Sequence, residues 1–145
     1  MILDIGCGNN KYEGSIGMDK RATDGVDLVA DAESFPYPIK DESCSMIVMN
    51  HFYEHIKPWL SIDVMDECWR VLKNKGFVYI VLPYAGSHRY YQDPTHCNPC
   101  NETTFAYFDP DHKFGLWNIY KPKPWKIQKL VYNVNGDIIS IMGKA

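Results

Sequence analysis

No stretch of this 145-residue chain carries the roughly 20 consecutive apolar residues a membrane helix needs. Its N-terminus lacks the basic, apolar and small-residue regions of a secretory signal. The expected location is therefore cytoplasmic. There is no excess of basic charge either: 15 Lys and Arg face 18 Asp and Glu, for a net charge of -3. That balance argues against a surface built to neutralise a phosphate backbone, so nucleic acid is not an expected partner. The five cysteines are an odd number without a repeating framework, which fits reduced thiols better than a disulfide scaffold. Internal repeats, low-complexity tracts and dividing linkers are also absent, and the length suits one domain over residues 1–145.

What is present is a series of short apolar runs. Met1 to Ile5 ends in Gly6-Cys7-Gly8 and reads as a buried strand entering a glycine loop. Ser15 to Asp19, Val26 to Ala32 and Ser45 to Asn50 read as the next three strands. Between them, Phe35-Pro36-Tyr37-Pro38 must be a loop, because two prolines exclude regular structure. Leu60, Val64, Cys68, Val71 and Leu72 fall at helical spacing and predict a helix over about 59–72. Lys73-Asn74-Lys75-Gly76 is expected to close that helix, and Phe77 to Leu82 to form a fifth strand. An aromatic, proline-rich region follows, with a short helix expected around 103–108. Trp125 to Val134 and Asp137 to Met142 then read as a hairpin turning at Asn135-Gly136.

This order predicts an α/β fold with a Rossmann-like open, mostly parallel sheet and a C-terminal antiparallel hairpin. The first crossover helices must be shortened or absent, because residues 9–15 and 20–25 leave too little chain for them. Ligands of such sheets bind beyond the carboxyl ends of the strands. The glycine loop, Asp19, Asp31, Asn50 and Tyr84 all fall there, and they suit a nucleoside. Glycine lets a ligand approach the backbone closely. A carboxylate at Asp19 can accept both hydroxyls of a ribose, and one at Asp31 can accept an adenine amino group.

On these residues the chain resembles the class I S-adenosylmethionine-dependent methyltransferases. The matching pieces are Leu-Asp-Ile-Gly-Cys-Gly at 3–8, Gly-Met-Asp at 17–19 and Asp-Ala-Glu at 31–33. Asn-His-Phe-Tyr-Glu-His at 50–55 and Arg-Val-Leu-Lys-Asn-Lys-Gly-Phe at 70–77 extend the likeness. It is similar in particular to compact methyltransferase-domain proteins of unassigned substrate, which share an Asp-Pro-Thr-His element like residues 93–96.

The resemblance implies S-adenosylmethionine as cofactor, a cofactor-binding half over 1–84 and a substrate side over 85–145. It assigns Gly6 and Gly8, supported by Asp4, to the amino-acid part of the cofactor, with Cys7, Asn9 and Asn10 completing the loop. Asp19, followed by Lys20, is assigned to the ribose. Asp31, Ala32 and Glu33 border the adenine, and Asn50 and His51 lie near the methionine moiety. Asn10 replaces the family's third glycine. The expected acceptor is a small or glycan-like molecule.

The candidate catalytic residues are His96, Asp93 and His51, since histidine titrates near neutrality. His55 is expected to orient the start of the helix. With the first crossovers so short, one face of the sheet is left bare. Either another copy of the chain covers it, in a homo-oligomer, or the domain is trimmed.

Other chemistries fit less well. Cys97 and Cys100, with His88, His96 and His112 nearby, lack the second spaced pair of a structural zinc site, so no metal is expected. A nicotinamide-dependent dehydrogenase would want a helix directly after the glycine loop to hold a pyrophosphate. A non-catalytic, cofactor-binding or assembly member of the same fold is the alternative reading that the short crossovers favour.

Overall fold

The computed structural model describes residues 1–145. Its strands are β1 (Ile2–Ile5), β2 (Ile16–Asp19), β3 (Leu28–Val29), β4 (Cys44–Asn50), β5 (Leu72–Pro83), β6 (Trp125–Tyr132) and β7 (Asp137–Lys144). They form one sheet in the order β3-β2-β1-β4-β5-β7-β6. The first five run parallel, β7 is antiparallel to β5, and β6 is antiparallel to β7. The helices are α1 (Ser61–Val71), α2 (His88–Tyr91), α3 (Glu102–Ala106) and α4 (Trp117–Tyr120). None is long and apolar enough to cross a membrane.

The sheet has two unequal faces. Strand register places Leu3, Ile47, Val78 and Met142 in one row, and Met49, Ile80 and Ser140 in the next. Against this face α1 buries Val64, Met65, Cys68 and Val71, recurring at three- and four-residue spacing, and Trp125 closes the edge. On the opposite face Ile2, Met46, Phe77, Tyr79, Ile139 and Ile141 remain half-buried. No helix lies in the connections 6–15 and 20–27, so parallel neighbours β1, β2 and β3 are joined by loops alone.

Three elements differ from the sequence expectation. The third strand shrinks from 26–32 to Leu28–Val29, because aspartates at its flanks use their side chains on the backbone instead of extending the ladder. The Asp27 carboxylate accepts the Gly17 N–H at 2.8 Å, and the Asp31 carboxylate accepts the Glu33 N–H at 2.9 Å. Lys73–Gly76 does not form a separate closing turn. It is taken into β5 as a bulge, where the β4 partners jump from Cys44–Leu72 to Met46–Phe77. The helix placed around 103–108 is the shorter α3, begun by a capping box between Asn101 and Thr104. The hairpin at Asn135-Gly136 forms as expected. Gly136 takes φ +85°, and the Asn133 side chain accepts the N–H groups of Asn135 and Asp137.

The helix-free loop between β3 and β4 is anchored to α1 by an ion pair between the buried Glu67 and the half-buried Arg70. Glu67 accepts the Tyr37 N–H at 2.6 Å and pairs with Arg70, which also donates to the Ile39 carbonyl at 3.0 Å and contacts Asp41. Burial pushes the Glu67 carboxyl up, but the Arg70 guanidinium and the Tyr37 N–H outweigh it and leave its pKa lowered. A lowered carboxylate stabilises the fold above its unfolded pKa, and that contribution is lost as pH falls through the folded value. Arg70→Met should therefore cost about 2 kcal/mol at pH 7, by stranding a buried charge. Below the unfolded pKa of about 4.3 the cost should shrink, because the stranded carboxyl then protonates. Urea unfolding of both proteins at neutral and acid pH checks this.

Candidate functional site

The carboxyl ends of β1, β2 and β3, together with the segment after β4, surround a cleft of about 540 Å³. That size is within the range of small-molecule sites. On one side it is lined by Gly6, Met18, Asp19, Lys20, Arg21 and the run Ala30–Glu33. On the other side stand His51, Phe52, His55, Ile56, Asp93 and Thr95.

Gly6 makes the turn out of β1. Its φ is +73°, its N–H is held by the Met18 carbonyl at 2.8 Å, and an added Cβ would lie 2.0 Å from the Phe52 ring. Only glycine satisfies both conditions. Asp19, at the end of β2, ties two loops together. One carboxylate oxygen accepts the Gly8 N–H at 3.1 Å, and the other accepts the Arg21 N–H at 2.9 Å and its Nε at 3.3 Å. Burial opposes its ionisation, but these donors outweigh it and hold its pKa below the usual carboxylate value. A carboxylate has about four lone-pair positions, so acceptor capacity toward the cleft remains.

Of the residues singled out in the sequence, Gly6, Asp19, Lys20, Asp31, Ala32, Glu33, His51 and Asp93 line the cleft. Asp4, Cys7, Gly8, Asn9, Asn10, Asn50 and His96 do not. Asp4 sits in register with Val48 on the far face of the sheet and supports the loop by accepting the Tyr12 N–H at 2.7 Å. Burial raises its carboxyl pKa, and one of its oxygens has no partner. Cys7 points its thiol toward the Gly25 carbonyl. Glu33 is engaged by the backbone and side chain of Lys57. Met18, Arg21, Ala30, Phe52, Ile56 and Thr95 line the cleft without having been singled out.

His51 is the one histidine of the site in a left-handed backbone, with φ +51°. Such strain costs about 1–2 kcal/mol and gathers at functional sites. Its ring, 40% exposed, lies between two buried carboxylates, with Nδ1 3.6 Å from Glu54 and Nε2 3.7 Å from Asp137. The Glu54 carboxylate raises its pKa above the usual histidine value, and Asp137 adds to this. Arg89 holds Asp137 at 3.0 Å.

His96 lies behind the cleft wall. Its Nδ1 is 2.6 Å from the Tyr90 carbonyl, so Nδ1 carries the proton and donates it. Its Nε2 faces Glu54 and Asp93, each at 3.8 Å. His55 Nδ1 meets the Thr95 hydroxyl at 3.1 Å, and that hydroxyl donates to Asp93 at 2.7 Å. Glu54 is fully buried, and neither of its carboxylate oxygens has a hydrogen-bond partner.

The cysteine pair does not join this cluster. The Cys97 thiol rests against the His55 and Ile56 carbonyls, and burial pushes the Cys100 thiol up to about 12. All five cysteines are free.

Residues 12–80 match the family described as a methyltransferase domain. No curated protein matches the chain. Among solved structures it is similar to a SAM-dependent methyltransferase from Archaeoglobus fulgidus, at 20% identity and TM-score 0.70, over 99% of this chain and 85% of that one. A second, from Methanosarcina mazei, has 19% identity and TM-score 0.61 over 99% and 91% of the two chains. A third, from Thermotoga maritima, has 14% identity and TM-score 0.69 over 99% and 82%. At these identities the structural likeness shows the fold: the class I methyltransferase arrangement of strands, over nearly the whole chain.

Proposed function

We propose that this chain, whose fold is that of the class I methyltransferases, transfers a methyl group from S-adenosylmethionine to a small-molecule or glycan-like acceptor. The observation that supports the reading is a cleft in which the strand-end carboxylates of Asp19 and Asp31 face His51 and His55. Asp19 has about one lone-pair position free for a ribose hydroxyl, a second hydroxyl displacing the long Arg21 Nε contact, and Asp31 with Ala32 borders the adenine. Gly6 keeps the loop clear on the side of the amino-acid tail. S-adenosylmethionine, when bound, supplies an electrophilic methyl carbon on a sulfonium.

His51 is the general base of this proposal. Of the three catalytic candidates it combines exposure to the cleft with buried carboxylates beside its ring: with the Nδ1 proton directed at Glu54, the Nε2 lone pair takes the acceptor proton, and Glu54 and Asp137 stabilise the imidazolium formed. Asp93 stands at the cleft edge and orients His55 through Thr95. His96 acts from behind the wall. His51→Asn is the informative variant, because asparagine tolerates the left-handed backbone. It should lower kcat about 100-fold or more while leaving S-adenosylhomocysteine affinity intact. An unchanged kcat would remove His51 from the mechanism.

A second reading, a non-catalytic binding or assembly module, is favoured by one feature: no helix follows the glycine loop. Methylated product formed by the purified chain would exclude it.

A further inference from the structure

The Glu54 carboxyl buries two oxygens and forms no hydrogen bond with either. The residue is fully buried, and three imidazoles surround it. A buried anion without donors costs several kcal/mol unless something compensates it. One oxygen of Glu54, a ring nitrogen of His55 and a ring nitrogen of His96 all lie within 4.8 Å of one another.

The surroundings of the two histidines prepare them as ligands. The Nδ1 proton of His96 is committed to the Tyr90 carbonyl, which leaves Nε2 as a lone pair facing Glu54. The Thr95 hydroxyl gives its single proton to Asp93, so its oxygen accepts from His55 Nδ1 and leaves a lone pair on the other ring nitrogen. Outer hydrogen bonds of this kind, to a carbonyl or carboxylate, fix the tautomer and orientation of metal-binding histidines. The scaffold is also fixed. The Cys97 and Asn98 N–H groups both donate to the Glu54 carbonyl at 3.0 Å, and the Asn98 side chain donates to the Tyr53 carbonyl at 3.1 Å. The turn carrying Glu54 and His55 is thereby locked to the loop carrying His96.

We propose that Glu54, His55 and His96 form a binding site for a divalent first-row transition ion of the zinc class. Two imidazoles and one carboxylate suit such ions, whereas magnesium and calcium prefer all-oxygen shells. The set also leaves coordination positions free. His55 belongs to the cleft wall, so the ion sits beside the region assigned to the acceptor, where a Lewis acid lowers the pKa of a ligated hydroxyl. That catalytic role rests on the methyl-transfer reading, but the site itself does not. The sequence concealed it, because Glu54 and His55 lie far along the chain from His96, and the neighbouring cysteines, Cys97 and Cys100, stand beside the cluster without contributing a ligand atom.

The test titrates metal-free protein with Zn²⁺ and Co²⁺, followed by calorimetry, the visible spectrum of Co²⁺ and thermal unfolding. Saturable one-to-one binding is expected, with Tm raised by about 8 °C at a hundredfold excess over Kd. Mg²⁺ should give neither. Glu54→Gln and His96→Gln should each weaken Co²⁺ binding about 100-fold or more, and Thr95→Val about 10-fold.

Absence of binding in the wild type would overturn the proposal, as would binding that persists in both ligand variants. A lower Tm of Glu54→Gln, without any metal response in the wild type, would show that Glu54 serves only its histidine neighbours. S-adenosylhomocysteine titrated into the metal-free wild type separates the two proposals: failure of the metal site leaves that binding in place, whereas failure of the methyl-transfer reading shows as no binding of the adenosyl compound whether or not the ion binds.

Discussion

Replacing Gly6 with alanine should abolish detectable binding of S-adenosylhomocysteine and lower the unfolding free energy by about 3 kcal/mol. Two costs combine. The residue sits at φ +73°, where an L side chain is strained. The new Cβ would also lie 2.0, 2.3 and 2.8 Å from Cδ2, Cγ and Cβ of Phe52. Since even the Phe52 Cβ is too close, a ring flip does not relieve the clash, and the backbone of one segment must move. Phe52 lines the cleft, so its displacement changes the cleft's shape. Urea unfolding at constant m measures the stability loss, and calorimetry the binding loss. The double variant Gly6→Ala with Phe52→Ala should recover part of the stability, because it removes the clash but not the backbone strain. An alanine variant that binds normally would contradict the assigned loop geometry.

The second large effect is expected at Asp19. Hydrogen bonds to a charged acceptor contribute about 1.5–3 kcal/mol each, so losing two ribose contacts predicts a drop in affinity of about 100-fold or more in Asp19→Ala. The same substitution removes the acceptor of the Gly8 and Arg21 N–H groups, and a stability loss of about 1–2 kcal/mol should accompany it. The two effects separate under saturating ligand. A protein that was merely destabilised would regain normal affinity once folded at low temperature, whereas one lacking the ribose acceptor would not.

Much of the fold was legible because its signals are local. Apolar runs ending in glycine or aspartate, the helical spacing from Leu60 to Leu72 and the Asn-Gly turn need no knowledge of distant residues. The absent crossover helices were legible by simple reach. The bulge at 73–76 was not, because lysines and a glycine after a helix normally end it, and only pairing of Leu72 with Cys44 draws them into the sheet. The reading from strand ends put Gly6, Asp19, Asp31, Ala32 and His51 at the cleft that the structure forms, whereas Gly8, Asn9, Asn10 and Asn50 lie off its wall. The Glu54 cluster was hidden for a different reason. The sequence presents Glu54-His55 and His96 as separate segments, and only long-range bonds from Cys97 and Asn98 to the Glu54 carbonyl bring them together.

The proposed chemistry depends first on S-adenosylmethionine binding in the cleft. Calorimetric titration of the purified chain with S-adenosylmethionine, S-adenosylhomocysteine and NADH tests it most directly. Saturable binding of the two adenosyl compounds at micromolar concentration is expected, and none of NADH. Binding of NADH alone, or no binding of either adenosyl compound at millimolar concentration, would contradict it.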